Sequence, residues 1–477
     1  MFMCSIAGIN GVNVKDRLLC MLDVLSHRGP DGRGVYSGTQ IAYNSHVDDI
    51  NDSDFMIGHN LLSIVGTNEL QPIVASDLVL VSNAELYNYK KLIDEFDLTN
   101  LKTNSDCEII LKVIEHFYDD DLKVAVLRAI PFFDGDYAFC ITDGADYIVI
   151  RDCVGVKPVY YAYDDNTFAF ASEQKALKEI GMTSIYNLKP TCMIYNDDIV
   201  EVRSQWKHAE PYTDYDYAKE SLKEAIIEAV LKRVDDLDDV ALLFSGGVDS
   251  TLIATILKQY DVNTTLYTIG TENSQDLKVA RKTASDIDLP IVTRIIDKDV
   301  VLDEFCPTID TIEDKNLMKI GVGMTIKLTS QLAHENNHKV ILSGQGADEL
   351  FAGYNRYKKK YSQQDELIKE LEHDLNNIYD VNLERDDKAT MSNSVELRVP
   401  FLDKKVINTA LHMPVKYLLD SAEDNMRKHI LRDAAYEIGV PEQIAYRPKK
   451  AAQYGTGIDK IIRKKIIKKE PYKSIIK

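Results

Sequence analysis

The stretch VALLFSGGVDST, residues 240–251, constrains the fold of this chain more than any other. Its apolar run does not alternate, so both faces need cover, as in a strand inside a parallel sheet. Ser245, Gly246 and Gly247 then make a tight turn, and STLIATILKQY continues with helical spacing. Glycines let backbone N–H groups approach an anion closely, and a helix N-terminus adds a positive field. The spacing therefore predicts a phosphate cradle, with Asp249 placed at the helix start to hold Mg²⁺ beside the phosphates. It is not a Walker loop, because G-x-x-x-x-G-K-[ST] is absent. The competing reading is a structural turn in which Asp249 or Ser250 merely caps the helix.

The flanking periodicity divides the chain in two. Beyond residue 215, SLKEAIIEAVLKRV puts Leu222, Ile226, Ala229 and Val230 on one helical face. LYTIG precedes the helical LKVARKTASDI, and VILSG precedes another Gly-rich turn. Strand–loop–helix repeats predict an α/β domain over 215–477: a parallel-sheet nucleotide-binding domain with extra helices, binding ligands at the carboxyl ends of its strands. Residues 1–205 read differently. DLVLVSNAELYN, DYAFCITDG, DYIVIRD and TFAFAS alternate with period two between polar turns. With the helix-like VKDRLLCMLDVLSH and SDCEIILKVIEHF, they predict a layered α+β domain.

A net charge of -20 argues against a nucleic-acid groove, which needs a basic field. The basic tail RKKIIKKEPYKSIIK reads as a solvated terminal helix. No apolar run approaches a membrane span, and the start lacks the pattern of a signal peptide. Seven cysteines without a C-x-x-C pair fit neither a disulfide framework nor a zinc cluster. A cytoplasmic protein with no membrane partner is expected.

The motifs carry a resemblance. SGGVDS resembles the pyrophosphate loop of the N-type ATP pyrophosphatases. LSGQGADELFAGY, SVELRVPFLD, MRKHILR and YRPKK resemble, in order, segments of the asparagine synthetases. The resemblance implies that an aspartate carboxylate attacks the α-phosphorus of ATP, giving β-aspartyl-AMP and pyrophosphate, and that ammonia then displaces AMP. It implies Asp249 and Asp348 as Mg²⁺ ligands and Lys449 as the pyrophosphate-steadying catalytic residue, with Lys450 a rival. It places Leu243, Ser245, Gly246, Gly247, Asp249, Ser250, Ile269, Ser343 and Gly344 around ATP. Leu243 and Ile269 are equally readable as core, and Arg398 either binds a carboxylate or ties its loop. Gln345 stands where this family carries Glu, and an amide cannot act as a general base.

Upstream, SHRGPDG, NAELYN, TNSDCE, RDCVGVKPVYY and ASEQKAL resemble class II glutamine amidotransferase motifs. This implies an Ntn-type αββα sandwich in which a cysteine at the chain start attacks the glutamine amide and its own free α-amine is the base. Cys4 would be the nucleophile and Asn83 an oxyanion-hole donor. Asp106, Ala84, Leu62 and Ile64 would bind glutamine. A start at Met3 would put Cys4 first after Met removal, whereas the large Phe2 would retain Met1. Leu61 stands where an Arg would bind the glutamine carboxylate, and Leu cannot supply that fork. Ala84 replaces a Gly, a smaller matter because the donor there is backbone N–H. Either glutamine is used with altered binding, or free ammonia is the nitrogen source. A homodimer is suggested by the resemblance alone.

Overall fold

The computed structural model describes residues 2–38, 40–64, 69–103, 105–164, 166–448, 455–467 and 472–475. The chain forms two compact units: Met1–Gln205 together with Tyr379–Asp387, and Trp206–Ile378 together with Lys388–Lys477.

In the first unit the period-two segments become antiparallel strands. Phe2–Asn10 pairs with Phe55–Ser63 on one side and Thr167–Ala171 on the other. Leu78–Leu86 pairs with Gly135–Thr142, which continues to Tyr147–Arg151 and Cys192–Tyr195. The two sheets join at one point, where Phe2 pairs with Ala84. Three apolar clusters define the layers. Leu18, Met21 and Leu22 of helix Lys15–Val24 pack with Ile9 and Met56 on one outer face. Ile110, Val113 and Ile114 of helix Asp106–Phe117 pack with Leu80 and Phe139 on the other. Ile6, Ile57, Val81, Val149 and Phe170 fill the space between the sheets. This is the four-layer αββα sandwich.

The second unit holds five parallel strands in the order Ile291–Ile295, Asn263–Gly270, Asp239–Leu243, Val340–Leu342, Glu396–Arg398. Helix Val248–Gln259 is buried along nearly its whole length, as a helix covering a parallel sheet must be. Leu222, Ile226, Ala229 and Val230 of helix Tyr215–Lys232 are all buried, as their spacing predicts. At the start of the basic tail, Ile466 packs inward while Arg463, Lys464 and Lys465 face solvent. Among the described residues no helix is long and apolar enough to cross a membrane.

Candidate active sites

Cys4 lies within the first strand of the sandwich, fully buried, opposite Leu61. Leu61 and Leu70 pack around it. Burial, then the neighbouring Cys107, pushes the Cys4 thiol well above the usual range, and a hydrogen bond with the Leu62 backbone opposes this only in part. The backbone N–H of Cys4 donates to Asn83 Oδ1 at 3.3 Å. The Asn83 Nδ2 donor is buried and has no partner among the described residues. Ala84 is buried on the same strand. Asp106 starts a helix whose Ser105 side chain caps it, and its Oδ2 accepts from the Leu86 N–H at 2.7 Å. Leu62 is buried opposite Met3, and Ile64 is half-buried just past the strand end. The structure thus gathers a thiol, an amide and a carboxylate around one end of the first strand. Leu61, where the resemblance implies a guanidinium, presents an apolar side chain to Cys4.

His59 sits on the strand of Leu61, Phe55–Ser63, buried opposite Ile6. Burial drives its pKa down to about 3. A histidine in an unfolded chain titrates near about 6.5, so the unfolded state binds the proton first as pH falls. Stability from neutral His59 is therefore fully present above that value and declines as pH drops toward the folded value. Unfolding of this unit should lose about 2 kcal/mol between pH 7 and pH 5 through this group. The loss should vanish in His59→Gln; an unchanged pH slope would place it elsewhere.

In the second unit, Leu243, Ile269 and Ser343 all lie at the carboxyl ends of parallel strands. Ile269 is buried and Leu243 half-buried. Helix Val248–Gln259 begins directly after Gly247, with no side-chain cap. Neither Asp249 nor Ser250 acts as its cap. Gly246 adopts φ +68°, and a Cβ there would lie 3.1 Å from Ala280 Cα. Glycine is required both by backbone conformation and by the close helix. The Ser250 hydroxyl lies 3.3 Å from that of Ser245, and the Gly247 N–H donates to Ser245 Oγ at 3.2 Å. A Cβ on Gly344 would come within 3.1 Å of Asp249 Cβ, so the second loop lies against the first.

Lys428 occupies the point where these loops meet. It is fully buried, and Nζ donates to Asp249 Oδ1 at 2.8 Å and to Asp348 Oδ1 at 2.5 Å. Gly353 permits the approach, since a Cβ there would sit 1.9 Å from Asp348 Oδ1 and 2.3 Å from Lys428 Cε. MRKHILR carries Lys428, but the sequence alone assigns it no partner; the pair with Asp249 spans 179 positions. Arg447 of YRPKK, also unassigned, donates to the Gly246 carbonyl. Glu349 is buried, accepts from the Tyr354 hydroxyl at 2.6 Å, and is pushed up to about 7 by burial and then by Asp348. Arg398 is fully buried and donates to Glu396 Oε1 and to the Arg233 carbonyl. Gln345 is half-buried, its N–H on Ser343 Oγ at 3.3 Å. Lys449 and Lys450 lie outside the described residues.

The Lys428 bridge can be tested directly. Lys428→Met keeps length and removes the charge, so two carboxylates face each other without a cation. Mg²⁺ should then raise the melting temperature of the variant more than that of the parent. An equal rise in both would show that the ion does not compete with Lys428.

Comparison with known proteins places both halves. Residues 3–192 match the glutamine amidotransferase domain family, and residues 221–369 and 359–469 match the asparagine synthase family. A protein of Methanocaldococcus jannaschii named as a putative glutamine-hydrolysing asparagine synthetase is 40% identical over 97% of this chain and 95% of its own length. Asparagine synthetase B of Escherichia coli is 29% identical over 95% of this chain and 83% of its own. Asparagine synthetase 2 of Lotus japonicus is 28% identical over 95% and 78%. Both domain families are matched in order and a relative is similar along nearly its whole length, so this chain belongs to the glutamine-hydrolysing asparagine synthetases, a family of ATP-dependent ligases.

Proposed function

We propose that the chain converts aspartate to asparagine through a β-aspartyl-AMP intermediate, with nitrogen from glutamine hydrolysed at Cys4. The observation that carries the synthetase half is the convergence of the SGGVDS and LSGQGADEL loops on Lys428. Backbone N–H groups of the Gly246–Gly247 turn and the N-terminus of helix Val248–Gln259 receive the pyrophosphate. Arg447, on the Gly246 carbonyl, holds that turn in shape. The Ser343–Gly344 backbone, with Leu243 and Ile269, forms the adenosine side.

Asp249 and Asp348 suit Mg²⁺. Hard oxygen donors that already converge on one cation match an ion which takes one or two carboxylates and fills its shell with phosphate and water oxygens. When bound, the ion neutralises charge on the phosphate oxygens. The Gln345 side chain is an amide that does not take up a proton near neutral pH, so it is not the base. Lys449 is assigned to the pyrophosphate on its motif alone.

In the first unit, the unpartnered Asn83 Nδ2 is a preorganised donor for a developing oxyanion. Asp106 takes the substrate ammonium. A second reading, in which ammonia is the working nitrogen source, is favoured by one observation: Leu61 is buried against Cys4 and Leu70, where it offers nothing to a carboxylate. Release of AMP and asparagine from ATP, Mg²⁺ and aspartate decides between the readings, with glutamine and ammonium supplied in parallel. Asparagine from ammonium but never from glutamine selects the second. No asparagine from either refutes the substrate assignment. All seven cysteines are free, which supports a reducing cytoplasmic location. A homodimer rests on the resemblance.

A further inference from the structure

A buried charge cluster lies beneath the glutaminase strand. Arg28 is fully buried, and its guanidinium grips Asp387 with a fork: one nitrogen donates to Oδ2 at 2.7 Å, the other to Oδ1 at 3.2 Å. The first nitrogen also donates to Glu173 Oε1 at 2.9 Å. Glu173 is shared further with His27 and Lys175. Asp387 is thus the one of the two carboxylates that Arg28 holds bidentately, and it comes from 359 positions downstream. Its segment, Tyr379–Asp387, is part of the first unit although both neighbouring residues, Ile378 and Lys388, are not. The segment is tied down again where Asn187 donates to Asp380 and Glu384.

Both ends of the cluster lead to Cys4. Arg28 is followed by Gly29, where a Cβ would lie 2.4 Å from the Asn60 carbonyl and 2.6 Å from Leu61 N, so the loop is pressed against that strand. Two residues on, the Asp31 N–H donates to the Leu61 carbonyl at 2.8 Å, and Asp31 Oδ2 accepts from the Ser63 N–H at 2.9 Å. Leu61 is the residue facing Cys4 in the ladder. On the other side, Glu173 follows Ser172, whose N–H donates to the Ile6 carbonyl and whose hydroxyl accepts from the Ile6 N–H, each at 3.0 Å. Arg28 therefore links the loop pressed against Leu61 to the segment bonded to Ile6, two residues from Cys4, and a buried guanidinium keeps one place only while its charge is matched.

We propose that Asp387 is a positioning residue for glutamine hydrolysis, acting through Arg28 on Leu61–Ser63. The inference rests on the reading that this unit hydrolyses glutamine. The test compares the full-length parent and Asp387→Asn, both prepared with Cys4 as first residue, by two measurements. Amide hydrogen exchange at Asp31 and Ser63 should rise about tenfold in the variant, while the strand Leu78–Leu86 stays protected. kcat/KM for glutamine should fall about tenfold, mainly through KM, while ammonium-dependent synthesis stays within about twofold. Asp387→Glu, which restores the charge, should recover part of both. Unchanged exchange at those amides overturns the proposal whatever the activity. So does an equal loss with glutamine and ammonium, which would make Asp387 a general structural residue. If the parent itself fails to use glutamine yet the exchange rises locally, the positioning link holds and the functional reading falls.

Discussion

Asp249→Asn should lower AMP formation from ATP and aspartate by about 10²–10³-fold while the chain stays folded. The carboxylate sits at the second residue of helix Val248–Gln259, partly exposed just past the Ser245–Gly247 turn, and caps nothing. Its structural contact is the bond from Lys428, and Asp348 still matches that ammonium in the variant. Loss of stability should therefore stay at about 1.5–3 kcal/mol, the scale of one charged hydrogen bond. On the proposed role of Asp249 as a cation ligand, activity should suffer more, because that contact acts only when ATP and its cation are bound. Pyrophosphate release followed alongside a thermal melt separates the two effects. Near-normal turnover in a folded variant would overturn the site assignment. A variant that fails to fold would show that the Lys428 bridge is chiefly structural.

Cys4→Ala should abolish asparagine synthesis from glutamine, by about 10³-fold or more, and leave synthesis from ammonium within about twofold. The geometry adds a sharper form of the same prediction. In the chain that includes Met1–Met3, the Cys4 nitrogen is a peptide amide, donating its hydrogen to Asn83 Oδ1. An amide nitrogen has its lone pair delocalised into the carbonyl and cannot accept the thiol proton. A free α-amine, with a pKa of about 7.7–8.0, can. A chain beginning at Cys4 should therefore hydrolyse glutamine, and the same chain with Phe2 and Met3 retained should not. The buried thiol, held well above its usual range, adds to that inactivity. Equal glutamine use by both forms would exclude the α-amine as base. Activity in neither form, with ammonium still used, would identify Leu61 as the mark of a disabled site.

What the sequence disclosed, and what it hid, follows the range of the interactions involved. The parallel sheet, the SGG turn and the layered N-terminal domain are written in local periodicity and in the torsional freedom of glycine. A cap at Asp249 or Ser250 is a local rule that fails here, because Gly247 starts the helix without side-chain help. Lys428 was hidden for another reason. Nothing in MRKHILR distinguishes a lysine buried between two aspartates from one in water. The run ERDDK at 384–388 is the extreme case: its composition suggests a solvated face, yet Glu384, Arg385, Asp386, Asp387 and Lys388 are all buried. Arg385 and Asp386 pair with each other, but the counter-charges of Asp387 and Lys388, Arg28 and Glu313, come from distant sequence. Hydrophobic patterning records polarity and is silent about pairing.

The discontinuity of the first unit bears on how the protein is made. A ribosome delivers Gln205 long before Asp387, and at about 5–20 residues per second the interval is on the order of 10–40 s. Throughout that interval only Glu173 of the two carboxylates that Arg28 finally pairs with has been synthesised. The N-terminal half therefore emerges first and is finished late, its last piece arriving only after much of the second unit has been synthesised. An early-emerging domain would ordinarily be the first to escape chaperone surveillance; here it is bound to the timetable of the domain behind it.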